Sequence, residues 1–166
     1  MTESESAPPV DYIAETRATY DALGYPRYQW VQNETPAPWA PFEGALEEAS
    51  ISLIASGGIY RRGQHAFHFK DDVSYRVIDT SVSRDDLRIT HFAYDVTDAR
   101  EDPNVVFPIE PLRSLVDEGF LGSITPQTFT FMGGIYSARK VRDKLAPALV
   151  ERVLDQRADI ALLVPV

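Results

Sequence analysis

The sequence predicts an α/β fold, a three-layer sandwich on a mainly parallel sheet of Rossmann or flavodoxin-like type, incomplete at its C-terminal end. Three observations predict it. Short apolar runs recur as ISLIAS at 51–56, LRITHF at 87–92, TFTFM at 128–132 and DIALLVPV at 159–166. Segments of helical period separate the last three of them. Glycine pairs, Gly57-Gly58 and Gly133-Gly134, close the first and third. Strands buried on both faces read as continuous apolar runs, and their alternation with helices implies parallel pairing through right-handed crossovers.

Taken in order, residues 1–10 lack periodicity and carry two prolines, which predicts a disordered tail. Residues 11–50 read as an N-terminal helix and a proline-rich linker. Asp11 caps the helix, Ile13, Tyr20 and Leu23 recur at helical spacing, and Gly24 with Pro26 stops it. The run NETPAPWAPF at 33–42 cannot sustain a helix, and Trp39 and Phe42 are its expected anchors on the body. The α/β domain spans 51–166. Within it, 60–86 reads as loop and short strands, SYRVI at 74–78 among them. A helix is expected from Pro108 to Glu118, stopped by Gly119, with Leu112, Leu115 and Val116 on one face. A longer one is expected from Ser137 to Gln156, with Val141, Leu145, Leu149 and Val153 at four-residue steps and either a kink or the start of a second segment at Pro147.

Composition narrows the function classes. Sixteen Lys and Arg against twenty-five Asp and Glu give a net charge of -9, which repels a nucleic-acid backbone. No apolar run reaches the ~18 residues of a membrane span, and the acidic start MTESESAPPV is unlike a signal peptide. A cytoplasmic protein without nucleic-acid or membrane partners is expected. Zero cysteines remove disulfides, thiolate metal sites and Cys nucleophiles from these 166 residues.

In open α/β sheets ligands bind beyond the carboxyl ends of the strands. Those ends offer Ser56, Gly57, Gly58 and Tyr60, then His91, Tyr94, Asp95 and Asp98, then Met132, Gly133 and Gly134, and finally Pro165 and Val166. The glycine pairs could present amides to an anion, or simply serve turns that need glycine; GGIYRRG has neither GxGxxG spacing nor a P-loop ending. His91, Asp95 and Asp98, with Asp102 and Asn104 following, could bind a hard cation or transfer protons, or could be a solvated loop and helix caps. Three histidines without HExxH spacing do not make a zinc site, and no GxSxG elbow supports a serine triad. No metal site is assigned.

The runs SGGIYRRGQ (56–64), SYRVI (74–78), HFAYDVTDAREDPNVVFPIEPLRSL (91–115), EGFLGSI (118–124), FTFMGG (129–134) and ADIALLVPV (158–166) together resemble the selenoprotein B family of glycine, sarcosine, betaine and D-proline reductases. The similarity covers most of residues 11–166 and is most specific at Asp102, Asn104, Phe107 and Pro108, with His91 and Asp95 ahead of them. The resemblance implies a selenocysteine or cysteine, in a U-x-x-C or C-x-x-C motif, directly after a strand like LLVPV. A gene reading its UGA codon as a stop would end at Val166, so the expectation is a truncated chain without cofactor other than that selenocysteine. DIALLVPV is also an apolar place for a chain to finish; a following helix would cover it, while a genuine edge strand would simply end there.

The resemblance further implies a selenol- or thiol-dependent reductase that cleaves C–N bonds with a dithiol protein as electron donor, a small-molecule substrate and other reductase subunits as partners. His91 is then the expected proton carrier or orienter of the nucleophile, with Asp95 holding its ring. Tyr60, Tyr94 and Asn104 are expected substrate contacts, and Gly57, Gly58, Gly133 and Gly134 let backbone approach the ligand. Whether the 166 residues are themselves an enzyme stays open. The alternatives are a non-catalytic subunit binding a small molecule or partner, and a metal-dependent hydrolytic site at His91, Asp95 and Asp98.

Overall fold

A computed structural model describes residues 11–166 apart from Tyr28 and Trp30; the expected tail over 1–10 lies outside the described residues. The chain divides at Pro38 and Trp39 into two units, which places 39–50 with the α/β body. In the first unit, α1 (Tyr12–Ala22) starts where the Asp11 carboxylate accepts the Ala14 amide at 3.0 Å and ends before Gly24, whose φ of +70° suits glycine.

In the second unit, β1 (Ser50–Ala55) is the central strand of the main sheet. It is followed along the chain by β2 (Ile59–Arg61), β3 (Tyr75–Asp79), β4 (Leu87–Ile89), β5 (Ser123–Ile124), β6 (Gln127–Phe131) and β7 (Ile160–Val164). Strand β7 pairs with β1 in parallel, from Ile51 opposite Ile160 to Ala55 opposite Val164. That occupies one edge of β1, so β5 and β6, both parallel to it, share the other. The register slips by two residues between them, at Thr125-Pro126, where proline has no amide to donate. Strand β3 closes the far side antiparallel to β6. The sheet is thus mainly parallel, as the apolar runs require.

LRITHF is a correction. Only Leu87–Ile89 is a strand, and it pairs antiparallel with β2 in a separate two-stranded ribbon. Leu87 and Ile89 are buried while Arg88 is half-exposed, the alternation of a strand with one covered face rather than two. Trp39 is a second correction: it is 85% exposed and anchors nothing, while the Phe42 ring lies over Gly44.

Helices cover both faces, giving three layers. Residues of α2 (Thr97–Glu101) and α3 (Ile109–Asp117), with the β2–β4 ribbon, pack on Leu53, Ala55 and Ile78 around the fully buried Phe107. Truncating Phe107 to alanine would cost about 3–5 kcal/mol. Arg113 of α3 donates to the Thr80 carbonyl and, at 2.8 Å, to that of Val82, tying the helix to the loop after β3. The opposite face is covered by α4 (Ala138–Lys140), a π-helical turn (Val141–Leu145) and α5 (Ala146–Asp155), where Leu145 and Leu149 meet Phe129. The sequence expectation of one helix broken near Pro147 is met: proline lacks the amide that would continue the ladder, and the wider turn precedes it.

Candidate functional site

The parallel strands β1, β6 and β7 all end on the same side of the sheet, and their terminal residues meet. Ser56 follows β1, and its carbonyl accepts the Gly133 amide at 2.8 Å. The Ser56 hydroxyl accepts the Val166 amide at 2.9 Å and faces the Val164 carbonyl at 3.5 Å, so one side chain ties the exits of β1 and β7. Gly57 bridges Met132, and the Gly58 amide donates to Phe131 at 3.0 Å.

The segment after β4 closes over these glycines. The Thr90 amide donates to the Gly58 carbonyl at 3.0 Å, and the Tyr94 hydroxyl donates to that of Gly57 at 2.9 Å. Gly58 has φ +72°, and a Cβ there would collide with the Thr90 carbonyl, so both conformation and space demand glycine. The His91 ring packs 4.6 Å from that of Tyr94 and 6.0 Å from that of Phe92, which lies against Gly134 and stacks at 6.3 Å on Tyr136.

The His91 geometry fixes its tautomer. Its Nδ1 accepts the Ala93 amide at 3.0 Å, which leaves the proton on Nε2. That Nε2–H is buried and has no acceptor among the described residues. Burial also pushes the His91 pKa down, so the ring is neutral at physiological pH. A neutral ring with its second nitrogen engaged is a hydrogen-bond donor, and an unfilled buried donor costs about 1–3 kcal/mol until something accepts it. Burial raises the Tyr94 pKa against a smaller opposing pull from Arg100, keeping its hydroxyl protonated as a donor to Gly57.

The structure thus brings together His91, Tyr94, Gly57, Gly58, Gly133 and Gly134. Three sequence expectations fall elsewhere. Asp95 does not hold the His91 ring; its carboxylate accepts the hydroxyl of Thr97 at 2.7 Å and the Thr97 amide at 3.0 Å, and those bonds lower its pKa. Asn104 is used up as a brace, its amide nitrogen donating to Asp102 at 2.9 Å and Glu110 at 2.7 Å while its oxygen accepts the Glu110 amide. Tyr60 packs edge-on against Phe67, and its hydroxyl meets Thr90 rather than the His91 ring. With Asp95 and Asp102 each closing a local turn, among the described residues no three His, Asp or Glu side chains gather to hold a cation. Ser56, Phe92, Val106 and Tyr136 complete the site; Ser56 is one of the strand ends named from the sequence, Phe92 and Val106 stand inside the run at 91–115, and nothing in the sequence distinguishes Tyr136.

The family model described as glycine/sarcosine/betaine reductase selenoprotein B matches residues 28–165. D-proline reductase subunit gamma of Acetoanaerobium sticklandii is 32% identical over 130 residues, which are 78% of this chain and 54% of that protein. The chain therefore spans about half the length of this curated relative. No solved structure matches. No helix among the described residues is long and apolar enough to cross a membrane. On the matched length and the identity together, the chain belongs to the glycine/sarcosine/betaine reductase selenoprotein B family.

Proposed function

We propose that this chain carries the substrate-side half of a cytoplasmic reductase that cleaves a C–N bond of a small amino acid or N-methylated relative, with a dithiol protein as electron donor and other subunits as partners. The observation that carries this reading is the meeting of three strand ends, Ser56-Gly57-Gly58, Gly133-Gly134 and Val166, with the segment after β4 bonded to Gly57 and Gly58 and carrying the unfilled, buried Nε2–H of His91. A selenocysteine or cysteine following Val166, as family membership suggests, would supply an anionic nucleophile at neutral pH.

What the chain's own residues contribute follows from their bonds. Ser56 holds the backbone at Val166, fixing where the next residue starts. His91 donates from Nε2 to an anion or to a polar substrate atom; because burial keeps it neutral, it orients rather than acts as a strong acid. Tyr94 donates to the Gly57 carbonyl and packs against that ring. Phe92 and Tyr136 stack on each other beside the His91 ring. Asp95 and Asn104 act by shaping the loop between His91 and α3.

The test begins with the codon after Val166. The reading expects UGA followed by an open frame encoding a nearby cysteine; UAA or UAG would overturn it. The read-through protein is then expected to release ammonia or an amine from glycine, sarcosine or betaine, or to open the D-proline ring, in a dithiol-dependent manner, and His91→Asn, which keeps an acceptor for the Ala93 amide but loses the Nε2–H donor, is expected to lower kcat by about 10–100-fold. Unchanged turnover in that variant removes His91 from the mechanism. The 166 residues offer no thiolate, which favours binding without turnover for this chain alone; stoichiometric binding of one of these amines by it would support that second reading, and dithiol-dependent turnover would end it.

A further inference from the structure

On the α5 side of the sheet, β7 is bare. Its Leu163 is 66% exposed, and beside it Val150 and Leu154 of α5 are 56% and 68% exposed. Together with Ile54, Phe131 and Ala161 they line a wholly apolar groove of about 410 Å³. The opposite face of the same strand is different: Leu162 and Val164 pack into the Phe107 core. Among the described residues β7 pairs only with β1, so its outer edge presents unpaired backbone groups.

The sheet's own handedness says what belongs there. From β1 the chain moves to β5 and β6 on one side, crossing by α3 on the Phe107 face. From β6 it moves past β1 to β7 in the reverse direction, crossing by α5 on the other face. Right-handed crossovers require this exchange of faces, and a further step in the β6-to-β7 direction must use the α5 face again. A helix making that step would lie beside α5 and over Leu163, where the groove is. The relative carries nearly as much polypeptide again outside the shared stretch.

We propose that the groove between β7 and α5 seats an amphipathic helix that follows Val166 in the same polypeptide and leads to a further parallel strand on the outer edge of β7. The helix presents apolar residues at i, i+3 and i+4 spacing to Leu163, Val150 and Leu154. This rests on the reading frame continuing past Val166, as the proposed function does, but on none of its chemistry.

Hydrogen exchange separates the two. In the protein read through Val166, with cysteine in place of any selenocysteine, the β7 amides are expected to exchange on the order of 100-fold more slowly than in the 166-residue chain. Within the read-through protein, Leu163→Asp should remove that protection and raise binding of a hydrophobic dye, whereas Phe69→Asp, at a side chain already 63% exposed and away from the groove, should change neither. Equal protection of β7 in the two chains, or β7 protection in a dimer of the 166-residue chain alone, would overturn the proposal. Slow exchange without dithiol-dependent C–N cleavage would leave the groove assignment standing and remove the proposed reaction; C–N cleavage with an unprotected β7 would do the reverse.

Discussion

Gly58 sits between two stretches of backbone, whereas Gly134 sits under the edge of an aromatic ring. At Gly58 the amide is bound to the main sheet through Phe131 and the carbonyl to the segment after β4 through Thr90, so both neighbours are fixed by hydrogen bonds. At Gly134 the nearest atoms are Cε1 and Cζ of Phe92, at 2.5 and 2.6 Å from where a Cβ would stand, the far end of a side chain that is 40% exposed. The difference teaches that a glycine pair closing a strand can be a joint between two sheets or merely a floor under a movable ring. Gly58→Ala breaks the joint: the left-handed backbone alone costs about 1–2 kcal/mol, and with the Thr90 carbonyl forced away we expect a loss of about 3 kcal/mol or more in chemical denaturation. A loss within ~1 kcal/mol would mean that the joint is soft and the comparison false. Gly57→Ala comes next. Its Cβ would stand 2.8 Å from Cβ of the buried Val106, which overpacks a filled core by about 1–3 kcal/mol, and Val106→Ala should recover part of it.

Both glycine pairs were legible as strand ends in the sequence, because apolar runs closed by glycine obey simple physics. Their difference was not, since it depends on which segment folds back over each pair. The same division holds elsewhere. The apolar period of 109–117 placed α3, and Pro147 placed the break before α5. LRITHF misled because its apolar content was read ahead of its alternation: Arg88 between Leu87 and Ile89 already marked a one-faced strand. Asp95 and Asp102 were legible as turn formers or as chemistry, and short-range bonds to Thr97 and Asn104 decide for the turn. His91 was legible as a strand-end histidine, while its tautomer depends on the Ala93 amide, two residues away but oriented by the turn. Trp39 misled because a large aromatic side chain was assumed to be buried.

The tautomer of His91 yields a pH prediction smaller than the glycine effects. Burial sets the folded-state pKa below the ordinary ~6.5, so the unfolded chain binds more protons in the window between the two values. Stability therefore falls as pH drops below about 6.5 and levels off once the folded ring is protonated. In His91→Asn this component should vanish, leaving a flatter curve between about pH 7 and pH 5, as read by denaturant midpoints at constant ionic strength. The carboxylates cannot mimic it: bonds from Thr97 hold Asp95, and the Asn104 amide holds Asp102, below the usual carboxylate range, so their contributions are complete above about pH 5 and are lost only as pH falls further. An identical slope in wild type and His91→Asn would show that His91 titrates as an ordinary histidine and that its ring is not held in the buried, neutral form.

Gly134→Ala should be the mildest change. The backbone there needs no left-handed conformation, and the obstacle is the Phe92 ring, which is free to swing toward solvent at the expense of its contacts with His91 and Tyr136. We expect a loss within about 1 kcal/mol. The ring also makes the effect separable: in a Phe92→Ala background the next atom the added methyl meets is Met132 Sδ, 3.4 Å from the Cβ position and an ordinary contact, so Gly134→Ala should then cost little. A double-mutant cycle measures this directly, with a coupling equal in size to the single Gly134→Ala loss. If Gly134→Ala is as costly without Phe92 as with it, the constraint lies in the backbone between Gly133 and Ile135, and the two glycine pairs are joints of the same kind.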